Sequence, residues 1–409
     1  MTPPKNPPCC SRRALLGAGV AGAFAGLVGA QLDTSLAFAA APGYAGDVFV
    51  LLSLRGGFDG LSAVVPHGDP AYYAARPGIG VPKARLIGGD AYFGLNPGLA
   101  PLLPWWKAGS LAAVQAVGQP APNRSHFAAM EELERAAPGT SIRTGWLDRM
   151  LGGLGASDPM HAVSLGSAMP ARVLAGPAPD LGLTAIDKFR LTGEDPSRPI
   201  AATMAALYAD APPALARTTA QVTSALGAAR SVPASTATYP DTDLGAALRD
   251  VARLVKADVG LTAACVDSGD WDMHENLGAA TPGRRMYDHL NDLAAALAAF
   301  ATDLGPAFAR VTLVTISEFG RRVGQNGSGG LDHGYGNAMF VLGGAVKGGR
   351  VYGRWPGLAP ARLVDGDLAV TTDYRAVIAE ILRARCGVTD TAAVFPGVAP
   401  ASLGIIARR

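Results

Sequence analysis

Cysteine is scarce. The 409 residues contain four, Cys9, Cys10, Cys265 and Cys386, and no Cys-x-x-Cys. A thiolate zinc site is therefore not expected. Cys265 and Cys386 read as buried small hydrophobes, although an oxidising compartment would permit a bridge. Charge is thin as well: 17% of residues are charged, against roughly 25% in an average soluble domain. With 35 Lys and Arg against 33 Asp and Glu, the formal net charge is +2. No basic excess exists for a phosphate-backbone partner, so no nucleic acid is expected. The 52 glycines and 31 prolines make about a fifth of the chain, below the roughly 25–30% that marks low complexity. Beyond the N-terminal segment there is no internal repeat and no apolar run near the ~20 residues that span a bilayer.

What is present is a hydrophobic fraction of 49%, too high for disorder and enough for a large core. The first 39 residues stand apart. A polar, Pro-rich lead runs into Ser11-Arg12-Arg13-Ala14-Leu15-Leu16, then an uncharged stretch to Ala30, then Ala37-Phe38-Ala39. A basic region, an apolar region and a small-residue cleavage site read as an export signal. The paired arginines and mildly apolar Gly/Ala stretch favour the twin-arginine route, with that export machinery as a partner and a periplasmic or secreted destination. An N-terminal membrane anchor is the other reading; the run is short for one.

Residues 40–409 are expected to form a single α/β domain. Asp47–Leu54, Ser110–Gly118, His161–Gly166, Val259–Val266, Val311–Ile316 and Ala338–Leu342 are apolar runs suited to buried strands. Leu99–Lys107 and Ser125–Arg135 read as helices. Met286, Leu290, Leu293, Leu297, Phe300 and Leu304 line one face of a longer helix, and Leu244, Leu248, Val251 and Val255 line another. Helix and strand in alternation predict a mostly parallel central sheet in a three-layer sandwich. Residues 167–240, rich in proline with one Ala-rich helical stretch at Ile200–Leu207, read as an irregular insertion over the sheet.

Ligands of such sheets bind beyond the carboxyl ends of the strands. The polar residues there are Asp59 in Arg55-Gly-Gly-Phe-Asp-Gly60, Arg124, Ser125 and His126 in Asn123-Arg-Ser-His126, Asp272 and His274 in Trp271-Asp-Met-His274, Glu318 in Ser317-Glu-Phe-Gly-Arg321, and Asp332 and His333 in Leu331-Asp-His-Gly334. Singly, each has an ordinary structural reading. Asp59 and Asp332-His333 could be turn residues, Asp272-x-His274 a solvated loop, Glu318 a capping acid and Ser125 an N-cap. Together, imidazoles and carboxylates at one sheet edge suit a divalent ion such as Zn²⁺, Mn²⁺, Mg²⁺ or Ca²⁺, one or two per chain. Arg55, Arg124 and Arg321 could grip an oxyanion or pair with a neighbouring carboxylate. His67, His161 and His289 read as structural. The loop Gly327–Gly334 is so glycine-rich that a bound ion is expected to order it.

The set RGGFDGL, NRSHF, WDMH, SEFGR and DHG resembles domain-of-unknown-function family 1501, which is similar to the alkaline phosphatase/sulfatase-like superfamily. The resemblance implies an alkaline-phosphatase-like α/β sandwich with metals at the strand ends. It also implies a nucleophile opening a helix, here Ser125, flanked by Arg124 and His126. Asp59 and Glu318 would hold one metal; Asp272, His274 and His333 the other, with Asp332 beside them. Phe319 stands where the superfamily carries a ligand histidine, and Asp272 and His274 are more closely spaced than usual. The implied activity is metal-dependent hydrolysis or transfer of a small anionic phosphate or sulfate ester. The alternative is a non-catalytic cell-envelope binding protein on the same fold.

Overall fold

The computed structural model describes residues 46–195, 197–398 and 401–409. The expected export signal lies outside them. The fold is α/β, with a mixed, mostly parallel nine-stranded sheet. The strands are β1 (Val48–Leu54), β2 (Val64–Val65), β3 (Gly94–Leu95), β4 (Leu111–Gly118), β5 (Ala162–Leu165), β6 (Leu181–Leu183), β7 (Ala263–Ser268), β8 (Val311–Ile316), β9 (Asn337–Gly343), β10 (Val351–Tyr352) and β11 (Thr372–Asp373). The main sheet runs β10-β4-β9-β8-β1-β7-β5-β6, with β11 also on β4; β2 and β3 form a separate two-stranded ribbon.

All seven residues of β1 are buried, as a central strand covered on both faces requires. Its alternate side chains sort into two cores. Val48, Val50, Leu52 and Leu54 pack with Leu248, Val251, Leu290, Leu297 and Phe300, from the helices Asp243–Ala257 and Arg285–Leu304. Phe49 and Leu51 pack with Trp146, Met150, Val377 and Ile381, from the helices Trp146–Gly153 and Tyr374–Arg385. Two helical layers thus enclose the sheet. Arg285–Arg310 is long and apolar enough by composition to cross a membrane, but Leu290, Leu293, Leu297 and Phe300 lie within this core, as expected of a core helix.

One strand runs backwards. β9 is antiparallel to both β4 and β8, whereas the other pairs in the main sheet are parallel. Residues preceding β9 therefore emerge at the edge where the other strands end. That reversal delivers Asp332 and His333 to the loops after β1, β4, β7 and β8.

Two details differ from the sequence reading. β7 begins at Ala263 rather than Val259, because Asp258 and Gly260 adopt φ of +53° and +85°, which ends the preceding helix in a turn. The segment 167–240 is more regular than expected. β6 joins the sheet edge on β5, and Pro213–Ser231 forms a helix of 19 residues. Pro213 sits at its first turn, where a missing N–H costs nothing.

Candidate metal centre

Three histidines meet at the carboxyl edge of the sheet. The Nε2 of His333 lies 3.0 Å from that of His126 and 2.9 Å from that of His274. Asp272 reaches the same point, with its carboxylate 3.0 Å from His274 Nε2, 3.4 Å from His333 Nε2 and 3.5 Å from His126 Nε2. One ligating atom each from His126, Asp272 and His333 fall within 4.8 Å of one another, so these three could hold a metal ion.

The opposite ring nitrogen of each histidine faces an acceptor. His126 Nδ1 donates to Glu318 Oε1 at 2.8 Å, His333 Nδ1 to the Arg124 carbonyl at 2.8 Å, and His274 Nδ1 to Asp332 Oδ1 at 3.2 Å. A neutral imidazole with its proton on Nδ1 presents a lone pair at Nε2. Three such lone pairs therefore point into one space beside a carboxylate. They have no donor for one another; His274 Nε2 has Arg321 Nη1 at 3.4 Å, and a cation is what the remaining set of His126, His333 and Asp272 fits. The acceptors behind the rings hold orientation and tautomer, as around bound metals. Imidazole with carboxylate favours Zn²⁺ or Mn²⁺ over Mg²⁺ or Ca²⁺, which take oxygen ligands.

Electrostatics agree. Burial, aided by the nearby Arg321 charge, holds the His333 imidazole below its usual pKa and so keeps it neutral. Burial works to raise the Asp272 carboxyl, but the hydrogen bond and charge of Arg321 bring it below the ordinary range. Hydrogen bonds from Asn326 and His274 lower the Asp332 carboxyl likewise.

Arg321, 2% exposed, clasps the loops together. Its guanidinium donates to Asp272 Oδ1 at 2.5 Å, to the carbonyls of Gly57 at 2.6 Å, Leu331 at 3.0 Å and Trp271 at 3.2 Å, and to that of Gly56. It pairs with a carboxylate and offers nothing to an oxyanion. Gly56 has φ +116°, and a Cβ there would lie 2.6 Å from the Asp272 nitrogen. Only glycine lets these two loops approach so closely.

Several expected site residues sit differently. Asp59 is not in the cluster. Its two oxygens accept from the buried Arg76 at 2.6 and 2.9 Å, and it caps its own helix through Ser62 N. A carboxylate so engaged serves as the counter-ion of Arg76. Glu318 is adjacent, but Oε1 accepts from His126 Nδ1 and Gly56 N while Oε2 accepts from Ser317 Oγ. It orients a ligand rather than reaching the shared point. The Arg124 guanidinium is taken by Asp367 and stacks over Tyr335 at 4.4 Å; only its carbonyl serves the cluster. Ser125 occupies the N-cap of the helix His126–Arg135 without a capping bond from its side chain. It is exposed and absent from the lining of the adjoining cleft. The sequence reading did not pick out Arg76 or Asn326, whose amide holds Asp332 Oδ1 at 3.1 Å and the His274 carbonyl at 2.8 Å.

The glycine-rich loop carries its own fastenings. Arg322 N bonds the Asp332 carbonyl, Gly334 N that of Gly320, and Leu331 N that of Met273. These bonds tie the loop to the segments that carry Arg321 and His274. A cleft of about 660 Å³ opens beside the cluster, lined in part by His126, Asp272 and Glu318. Cys265, buried and unbridged, also lines it.

Fold and site together define an α/β protein with a His/Asp centre able to bind a metal at the carboxyl edge of its sheet. The chain belongs to the family described as "Protein of unknown function (DUF1501)", which it matches over residues 104–394. No curated protein matches it in sequence. Solved structures similar to it include the zinc complex of the C-terminal periplasmic domain of EptC from Escherichia coli, at 11% identity and TM-score 0.37, covering 73% of this chain and 72% of that one. The PsFucS1 sulfatase from Pseudoalteromonas sp. is similar at 14% identity and TM-score 0.36, covering 98% and 78%.

Proposed function

We propose that this chain is an exported, metal-dependent hydrolase or transferase of phosphate or sulfate esters, with one ion per chain. The observation that carries the proposal is the convergence of the His126, His274 and His333 Nε2 atoms beside Asp272. A second ion is not part of it, because Arg76 engages Asp59 and the Glu318 oxygens are bonded to protein donors. The ester chemistry rests on the likeness of the loop motifs to the phosphatase and sulfatase superfamily, and the export on the Arg12-Arg13 signal.

When bound, Zn²⁺ or Mn²⁺ would supply Lewis acidity toward an ester oxygen. The chain's own residues do the positioning. Glu318, the Arg124 carbonyl and Asp332 fix the Nδ1 protons and aim the rings, and Arg321 holds Asp272 ionised and in place. Ser125 does not touch the cluster, so the proposal assigns the attack to water.

Metal analysis of protein purified from the periplasm, with an ester screen before and after chelation, tests this. One Zn²⁺ or Mn²⁺ per chain, with turnover lost to the chelator and restored by the ion, is expected. A chain that holds no ion, or turns over esters equally well without one, refutes it.

A further inference from the structure

The cleft beside the histidines is larger than its proposed chemistry needs. Its roughly 660 Å³ falls within the range of about 300–1,000 Å³ that holds whole organic ligands, and one phosphate or sulfate group fills little of it. Phe127 and Met169 are 92% and 76% exposed, the most exposed large apolar side chains among the described residues. Both line this one cleft. Two such side chains left in water around one concavity mark a binding surface more readily than chance exposure does.

The arginines of the lining face carboxylates. Arg55 pairs with Glu134 and Asp267, and Arg172 lies 3.6 Å from Glu131. The lining holds six carboxylates to these two guanidiniums, which disfavours a second anionic group there, while Phe127 and Met169 offer contact to an apolar one. Phe127 directly follows His126 in the first turn of its helix, so a ligand with its head at the cluster would lie within reach of that ring.

We infer that Phe127 and Met169 are specificity-determining residues that grip an apolar alkyl or aryl group carried by the ester whose anionic head meets His126 and Asp272. This rests on the ester reading above and adds the other half of the substrate.

The test uses the metal-loaded full chain and alkyl phosphonates from methyl to hexyl, whose carbon–phosphorus bond leaves nothing to hydrolyse. Calorimetry should show affinity rising roughly fourfold per added methylene. The double substitution Phe127→Ala, Met169→Ala should flatten that rise, with metal content per chain reporting an intact centre. Affinity independent of chain length in the parent protein, or an equal rise in the double variant, overturns the inference. If the double variant instead loses co-sedimentation with anionic lipid vesicles while phosphonate affinity is flat throughout, the pair is a membrane contact and the inference is likewise overturned. Chain-length-dependent binding without turnover of hexyl phosphate or hexyl sulfate supports the inference while refuting the hydrolase.

Discussion

Glu318→Gln removes one charge and almost nothing else, which makes it a direct probe of how the cluster is held. The Gln oxygen can still accept from Gly56 N and His126 Nδ1, which lie 2.9 and 2.8 Å from Glu318 Oε1. Its amide can donate to Ser317 Oγ, which sits 3.0 Å from Oε2 and can turn its own hydroxyl toward the Phe319 carbonyl at 3.3 Å. Every local bond thus has a replacement, and thermal stability should change little. What is lost is a charge-assisted bond behind the His126 ring, roughly twice as strong as its neutral counterpart. Losses of such partners typically weaken a metal site by about 10–100-fold, equivalent to about 1.4–2.7 kcal/mol at 1.36 kcal/mol per tenfold. Competition titration of Zn²⁺ or Mn²⁺ against a chelator of known affinity measures this. An unchanged metal affinity in Glu318→Gln, alongside an unchanged affinity in His126→Ala, would refute the claim that the His126–Glu318 pair serves an ion.

Four other expectations follow from the same contacts. Asp59→Asn leaves the Arg76 guanidinium buried without its counter-ion and should cost about 3 kcal/mol, read by denaturant titration, with metal affinity preserved; a selective loss of metal would restore Asp59 as a ligand. Ser125→Ala should keep most ester turnover, and its abolition would reinstate serine as the nucleophile. The Asp180 carboxyl is pushed up to about 7, by burial first and the Asp148 charge second. The native state then holds more protons than the unfolded one between about pH 4 and pH 7, so stability falls as pH rises through that window, and Asp180→Asn should flatten the fall by on the order of 2 kcal/mol; denaturation curves at several pH values decide it. Replacing Arg12 and Arg13 together by Lys should trap an unprocessed precursor, seen by cell fractionation; normal export would rule out the twin-arginine route.

Much of the architecture could be read from apolar periodicity. Val311–Ile316 and the helix Arg285–Leu304 stand where their patterns place them, because a two-sided strand and a one-sided helix write different spacings. The segment 167–240 was harder. The helix Pro213–Ser231 buries little beyond Thr219, Ala225, Leu226 and Ala229, so small residues replace the large apolar stripe that would have announced it. The pairings within the site were less visible still. Arg76 reaches Asp59 over 17 positions, and Gly56 reaches Glu318 over 262. No local pattern encodes such contacts, and carboxylates bound for an arginine, a histidine or an ion look alike in a string of residues.

The placement of His333 shows why motif and topology must be argued together. In a wholly parallel sheet, a residue preceding a strand lies at the amino edge, a full strand length from the loops that follow its neighbours. An Asp-His-Gly before Asn337 would then face away from His126. The reversal of β9 removes that separation: Val314 pairs with Val341 and Thr312 with Gly343, so the strand starts where β8 ends. Asn337 secures the junction, its Nδ2 bonding the Phe319 carbonyl at 2.8 Å and its Oδ1 accepting from Gly60 N at 3.1 Å. Arg321 and His333 then pair across the gap as an isolated antiparallel bridge. The same backbone reversal thus sets the imidazole of His333 and the guanidinium that holds Asp272 on facing segments. The centre depends on strand direction as much as on residue type, and a chain with every motif intact but β9 parallel would not bring His333 to His126.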